Sequence, residues 1–348
     1  MTALNQMAAI SALYRRRGQL PLRTRLLVTL GAVAALHAAA VVLLFSGPAG
    51  GGQPLVLGLV LTAYLAGVKH SYDWDHIAAI DNSTRKFVAE HKDPVSVGFA
   101  FSLGHSSVVV LAGVLLVAGA SLVGSLMTEG TAGNTALGLI GSGVSGLFLL
   151  AMGVFNGSAF LQAAKAYRSA GADQGVSAVD LGTKGFVARL LARPLSRVQR
   201  PGHIYVIGFL FGLGFDTATT IGLLVMTTAA SLAGVSPLAL LALPLSFASA
   251  MTLCDTVNGM AMMHMYRSAL RHPLRKLGFN AVITGLSAVS ALFISVITLG
   301  GFCAAAFGLR DPLTSWLGAI DLGDGGLVLV GVLLAVWALN AVRRRLSA

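Results

Sequence analysis

The stretch Leu55–Ile80, LVLGLVLTAYLAGVKHSYDWDHIAAI, decides how the chain is read. Its 26 residues exceed the ~20 that an α-helix needs to cross a hydrocarbon core ~30 Å thick. The run is free of charge as far as Val68, and then Lys69, His70, Asp73, Asp75 and His76 arrive together. Ionised groups in hydrocarbon cost about 2.5–3.5 kcal/mol each on insertion scales and mark a pathway or a binding site. The segment therefore predicts a membrane-spanning helix that carries function.

Working outward, similar apolar runs occupy residues 26–45, 95–127, 135–164, 204–232, 238–265, 277–309 and 327–342. Only 11% of the chain is charged, against roughly 25% in ordinary globular proteins. The predicted fold is all-α, a polytopic membrane protein with about eight transmembrane helices forming a single transporter domain over residues 1–348. The first run is long for a secretory leader and is read as a retained span.

The net charge of +11 is distributed by topology. Numbering the spans places 22 of the 24 Lys and Arg on one side. That side holds the tail 1–25, the loop with Arg85, Lys86 and Lys92, the long loop at about 166–202, the loop 267–276 and Arg343–Arg345. The opposite loops hold Arg310 beside Glu129, Asp311, Asp321 and Asp324. This positive-inside pattern puts both termini in the cytoplasm. The basic excess then meets anionic lipid headgroups of the cytoplasmic membrane and does not point to nucleic acid. In the long loop, Arg189, Arg193 and Arg197 recur at four-residue spacing, as in an amphipathic segment on the inner leaflet, although Pro194 interrupts it. Cys254 and Cys303 lie within spans and form no CxxC pair, so neither a disulfide nor a zinc framework is indicated.

Polar residues recur in the other spans: His37, His105, Asp216 with Thr217, and Asp255 with Thr256 and Asn258. At ~1.5 Å rise per residue, His37, His70, His76, His105, Asp216 and Asp255 lie roughly 14–22 Å from the basic ends of their helices. Five helices thus bring imidazole or carboxylate to one slab near the midplane. On a regular helix His70, Asp73 and His76 share an arc of roughly 120°, while Asp75 points away from His70 by roughly 140°. An unwound segment would let all four approach one ion. Asp81 and Asn82 follow as pathway residues. Imidazole with carboxylate suits Ni, Co, Zn, Fe(II) or Mn. The methionines at 251, 260, 262, 263 and 265 read as packing.

One internal echo stands out: GFAFSLGHS from Gly98 and GFLFGLGFD from Gly208 share five of their first seven positions. Duplicated halves are common in transporters.

The motifs resemble the nickel/cobalt transporter (NiCoT) family, whose hallmark is His, four residues, then Asp-His in the second span. Here it is His70, Asp75 and His76, continuing as IAAIDNSTRK, with LGHSSVVV, LGFDTATTIGLL and CDTVNGMAM following in the family's order. The resemblance implies that His70, Asp75 and His76 are essential for uptake of Ni²⁺ or Co²⁺, and it links His37 to metal preference. Thr220 and Asn258 stand where the family favours acids, and Trp74 where it favours a small residue.

The site expected is therefore His70, Asp73, Asp75, His76, His37 and His105, with Ni²⁺ or Co²⁺ as transported substrate and no permanently bound cofactor. The chain is not expected to be an enzyme: no GxxxxGK[ST] or HExxH pattern occurs. A metal exporter of related architecture and an intramembrane metal-dependent hydrolase are the competing classes.

Overall fold

The computed structural model describes residues 20–46, 53–119, 128, 130–170, 197–214, 218–232, 234–268, 273–320 and 325–346. Among them every regular element is an α-helix. In chain order these are α1 (Leu22–Leu44), α2 (Gln53–Ser71), α3 (Trp74–Ala89), α4 (Val97–Val117), α5 (Ala132–Ala170) and α6 (Pro201–Gly212). There follow α7 (Ala218–Leu232), α8 (Pro237–Leu240), α9 (Ala242–Ser268), α10 (Pro273–Phe307), α11 (Pro312–Gly318) and α12 (Gly325–Leu346).

Among the described residues each apolar run of the sequence falls mainly on helix, but not always on one straight helix. Five segments among the described residues are long and apolar enough to cross a membrane, in α1, α4, α5, α8–α9 and α10, and α2 with α3 makes a sixth if that bent pair is one span. Two runs fall on shorter apolar helices, α6 and the stretch Gly326–Val336 of α12.

Four sequence readings are changed or decided. The second run is not a regular helix: α2 and α3 meet at a break with a 56° bend, so the arc computed along one straight axis does not apply. Its helical end is also not at Ile80, because α3 continues to Ala89 and buries Lys86, which the sequence places in a loop. The fifth run is split into α6 and α7. After α10 a short helix, α11, replaces what reads as loop. Asp311 caps it, accepting from the amides of Leu313 and Thr314 at 3.0 Å each. Hydrogen bonds from Thr314, hydroxyl before amide, hold the Asp311 carboxyl below the usual range. The loop residues Arg189, Arg193 and Pro194, and the site candidates Asp216 and Thr217, lie outside the described residues.

The helix α9 is the hub, packed against α1, α2, α3 and α4, while α5 and α10 lie along one another. Glycine makes the closest of these approaches possible. A Cβ on Gly104 would fall 2.0 Å from the Tyr205 carbonyl oxygen, and one on Gly208 would fall 2.0 Å from that of Phe101. The two echoing segments thus pack backbone to backbone on each other. Outward faces carry large apolar side chains, such as Leu27, Val42 and Leu61, as lipid contact requires.

Candidate functional site

The break between α2 and α3 builds the site. Residues Tyr72 and Asp73 leave helical geometry, and their amides bond the carbonyls of Lys69 and His70 at 3.0 Å each. Asp73 is the N-cap of α3, extended at φ −63° and ψ 144°, and aspartate is favoured there because its carboxylate can accept free amides of the first turn. Here that carboxylate does something else. Its Oδ2 lies 2.7 Å from His70 Nδ1. The neighbouring acid serves the backbone: Asp75 Oδ1 accepts the His76 amide at 2.9 Å. Asp73 and Asp75, two residues apart in sequence, thus have separate partners.

Three imidazoles converge behind the break. The ring centroids of His70 and His76 are 4.7 Å apart, those of His70 and His105 5.0 Å, and those of His76 and His105 4.6 Å. His70 Nε2 and His105 Nε2 are 3.0 Å apart. One nitrogen from each ring can be chosen so that all lie within 4.8 Å of one another. A metal at about 2.0–2.1 Å from each nitrogen would set the nitrogens roughly 3 to 3.5 Å apart, a spacing that the His70–His105 pair already has and that lies inside the 4.8 Å limit for the set. The rings are out of solvent, with His76 wholly buried, His70 1% exposed and His105 6%. Phe101 meets His76 edge-on at 5.0 Å, and Phe247 lies 5.6 Å from His70.

Hydrogen bonds assign the ring nitrogens. His70 donates from Nδ1 to Asp73, and His76 donates from Nδ1 to Asp255 Oδ2 at 3.2 Å. That leaves Nε2 of both rings as lone-pair nitrogens facing the cluster, the arrangement by which a carboxylate orients a metal-binding histidine. His76 Nε2, His105 Nδ1, Asp73 Oδ1 and Asp255 Oδ1 are buried without a hydrogen-bond partner. Buried polar atoms are ordinarily satisfied, so these orphans fit a cation as the missing partner.

The other predicted residues lie elsewhere. His37 hydrogen-bonds the Val33 carbonyl at 2.9 Å and the Tyr64 hydroxyl at 3.2 Å. Asp81 is bonded by Tyr266 and Ser287, and Asn82 by Asn156. Thr256 turns its hydroxyl to the Thr252 carbonyl at 2.6 Å, while the Asn258 amide nitrogen is buried and unpaired. The sequence alone does not single out Tyr64, Phe101, Phe247, Tyr266 and Ser287. Their signal was weak, since aromatics in spans normally pack and helical hydroxyls normally bond their own backbone.

A bundle of apolar helices gathering buried histidines and carboxylates around an interrupted helix defines an integral membrane protein of the transporter class. The family model for NicO, high-affinity nickel-transport protein, matches residues 56–343. The chain belongs to that family. It is 40% identical over 293 residues to the nickel transporter NicT of Mycobacterium tuberculosis, covering 83% of this chain and 79% of that one. It is 38% identical to the nickel transporter NixA of Staphylococcus aureus, covering 84% and 87%. With the cobalt transport protein NhlF of Rhodococcus rhodochrous it shares 36% over 79% of each chain. No solved structure matches. The family's described role is transport rather than catalysis.

Proposed function

We propose that the chain is a secondary transporter that takes up Ni²⁺, and accepts Co²⁺, across the cytoplasmic membrane. The cargo is held by His70, His76 and His105, with Asp73 and Asp255 orienting the first two rings and Asp75 fixing the start of α3. The carrying observation is the convergence of three buried imidazoles, one with an unpartnered Nε2. In this reading the chain is one transporter domain crossing the membrane eight times, with both termini cytoplasmic, embedded in lipid and with no resident cofactor. The relatives' names support nickel as cargo and, through NhlF, cobalt as a second.

Nitrogen ligands suit Ni²⁺ and Co²⁺. A cation seated among the Nε2 atoms takes the place of the Nε2–H of His105 that faces His70, and that ring then carries its proton on the unpartnered Nδ1. An inside-negative potential contributes about 2.3 kcal/mol per charge per 100 mV. For a dication that is ~4.6 kcal/mol, over a thousandfold accumulation. The test is metal uptake by liposomes holding the purified chain at a set potential, scored for Ni²⁺, Co²⁺, Zn²⁺ and Mn²⁺. Wild type should accumulate Ni²⁺ and Co²⁺, and H70A and H76A should not. Normal uptake by both variants would remove the site.

A further inference from the structure

A second buried polar cluster lies farther along α3 and takes no part in holding the cargo. Asp81, 1% exposed, accepts from the Tyr266 hydroxyl of α9 on Oδ1 and from the Ser287 hydroxyl of α10 at 2.5 Å on Oδ2. Arg85, one turn on, donates to the Thr284 hydroxyl of α10. Three helices are thereby joined at one level. Asn156 of α5 bonds Asn82, which binds α3 to a fourth helix on another side. One residue beyond Arg85, the buried Lys86 ammonium reaches Glu90 at 2.8 Å and the Val198 carbonyl at 3.0 Å.

On α3's rise of ~1.5 Å per residue, Asp81 lies roughly 7 Å and Arg85 roughly 13 Å beyond His76. A dication leaving the histidines along α3 thus meets a carboxylate already occupied by two hydroxyls, and then two cations, the half-buried Arg85 and the buried Lys86. Hydroxyl latches between helices can break without leaving an apolar gap. The half-buried Arg85 guanidinium repels a dication as long as it stays in place.

We propose that Asp81, Tyr266 and Ser287, backed by Arg85, form the gate that closes the cargo site toward the C-terminal end of α3, the cytoplasmic end under the charge rule. The gate opens when the parts of α9 and α10 that carry Tyr266 and Ser287 part from Asp81, while Asp255–His76 and Asn82–Asn156 stay in place. This inference rests on the assignment of His70, His76 and His105 as the cargo site. A gate changes how fast the ion passes on one side without changing how tightly it is held.

The experiment uses the full chain in vesicles of defined orientation loaded with radiolabelled Ni²⁺. Release is timed to a chelator placed either inside or outside. Tyr266→Phe combined with Ser287→Ala should speed release at least tenfold toward the face that exposes Lys92, and less than twofold toward the other. Equilibrium affinity should stay within about twofold of wild type. R85Q should accelerate release on the same side. If the double variant unfolds, Ser287→Ala alone should still give about threefold, one-sided acceleration. Unchanged rates, equal acceleration on both sides, or a tenfold loss of affinity at unchanged rates would each overturn the gate. H76A in parallel separates the two ideas: if it binds Ni²⁺ as wild type does, the cargo site itself is misassigned and the gate falls with it.

Discussion

His76 Nδ1 stands 3.2 Å from Asp255 Oδ2, across 179 positions of sequence and with both side chains wholly buried. The carboxylate accepts the hydrogen bond that the ring donates from Nδ1, so Nε2 meets the cluster as a lone pair. Removing such an orienting carboxylate typically costs ten- to hundredfold in metal affinity. Asp255→Asn keeps the shape and loses the charge, so Ni²⁺ affinity should fall by about that factor while the protein stays folded. Equilibrium dialysis with labelled Ni²⁺, beside a thermal melt, reads both. Wild-type affinity in this variant would mean that the ring is oriented by something else.

His37 gives the opposite expectation. Its nitrogens are engaged by Val33 and Tyr64, and it is not among the residues that converge with His70. His37→Ala should leave Ni²⁺ affinity within about threefold of wild type, whereas His105→Ala should lower it at least tenfold, as loss of a direct ligand requires. Equal losses in the two variants would place His37 at the ion.

The sequence carries the helices well, because a hydrocarbon core requires long apolar runs and polar residues inside them stand out. His70, Asp73, His76, His105 and Asp255 could be selected from three different runs on that basis alone. That the segment could be unwound is legible, but the place of the break, Tyr72–Asp73, is not. No proline or glycine marks it, and what braces it, Gly326 of α12, lies more than 250 positions away. The separate tasks of Asp73 and Asp75 follow from the break and were hidden with it. Tyr266 and Ser287 were hidden for a related reason: a hydroxyl in a helix reveals its partner only when a neighbouring helix supplies one.

The end of α3 should be sensitive to acid. Burial disfavours a charged Glu90, but hydrogen bonds from Lys86 and Lys92 outweigh it and hold the carboxyl below its ordinary value. A depressed carboxyl adds stability that is complete above the unfolded pKa of about 4.3 and is lost as pH falls through the folded value. Glu90→Gln should cost about 1–2 kcal/mol at pH 7 by stripping a charged partner from buried Lys86. It should also flatten the loss of stability below pH 5. Thermal melts of both proteins between pH 3 and 7 measure this, and parallel pH profiles would show that the pair contributes nothing.

Two glycines of α12 make a paired test of how the break is held. A Cβ on Gly326 would lie 1.8 Å from the Tyr72 carbonyl oxygen and 3.0 Å from the Asp73 carbonyl carbon, whereas a Cβ on Gly331 would meet nothing within 4 Å. Gly331→Ala should be neutral or stabilising by up to about 1 kcal/mol, since alanine is the better helix former. Gly326→Ala must push α12 off the break or push the break toward the histidines. Overpacking of that kind costs about 1–3 kcal/mol. The displaced segment carries Asp73, which orients His70, and leads into His76, so Ni²⁺ uptake should fall more steeply than stability does. Uptake normalised to folded protein distinguishes the cases. If Gly326→Ala lowers the melt and leaves normalised uptake intact, α12 supports the fold without setting the geometry of the site.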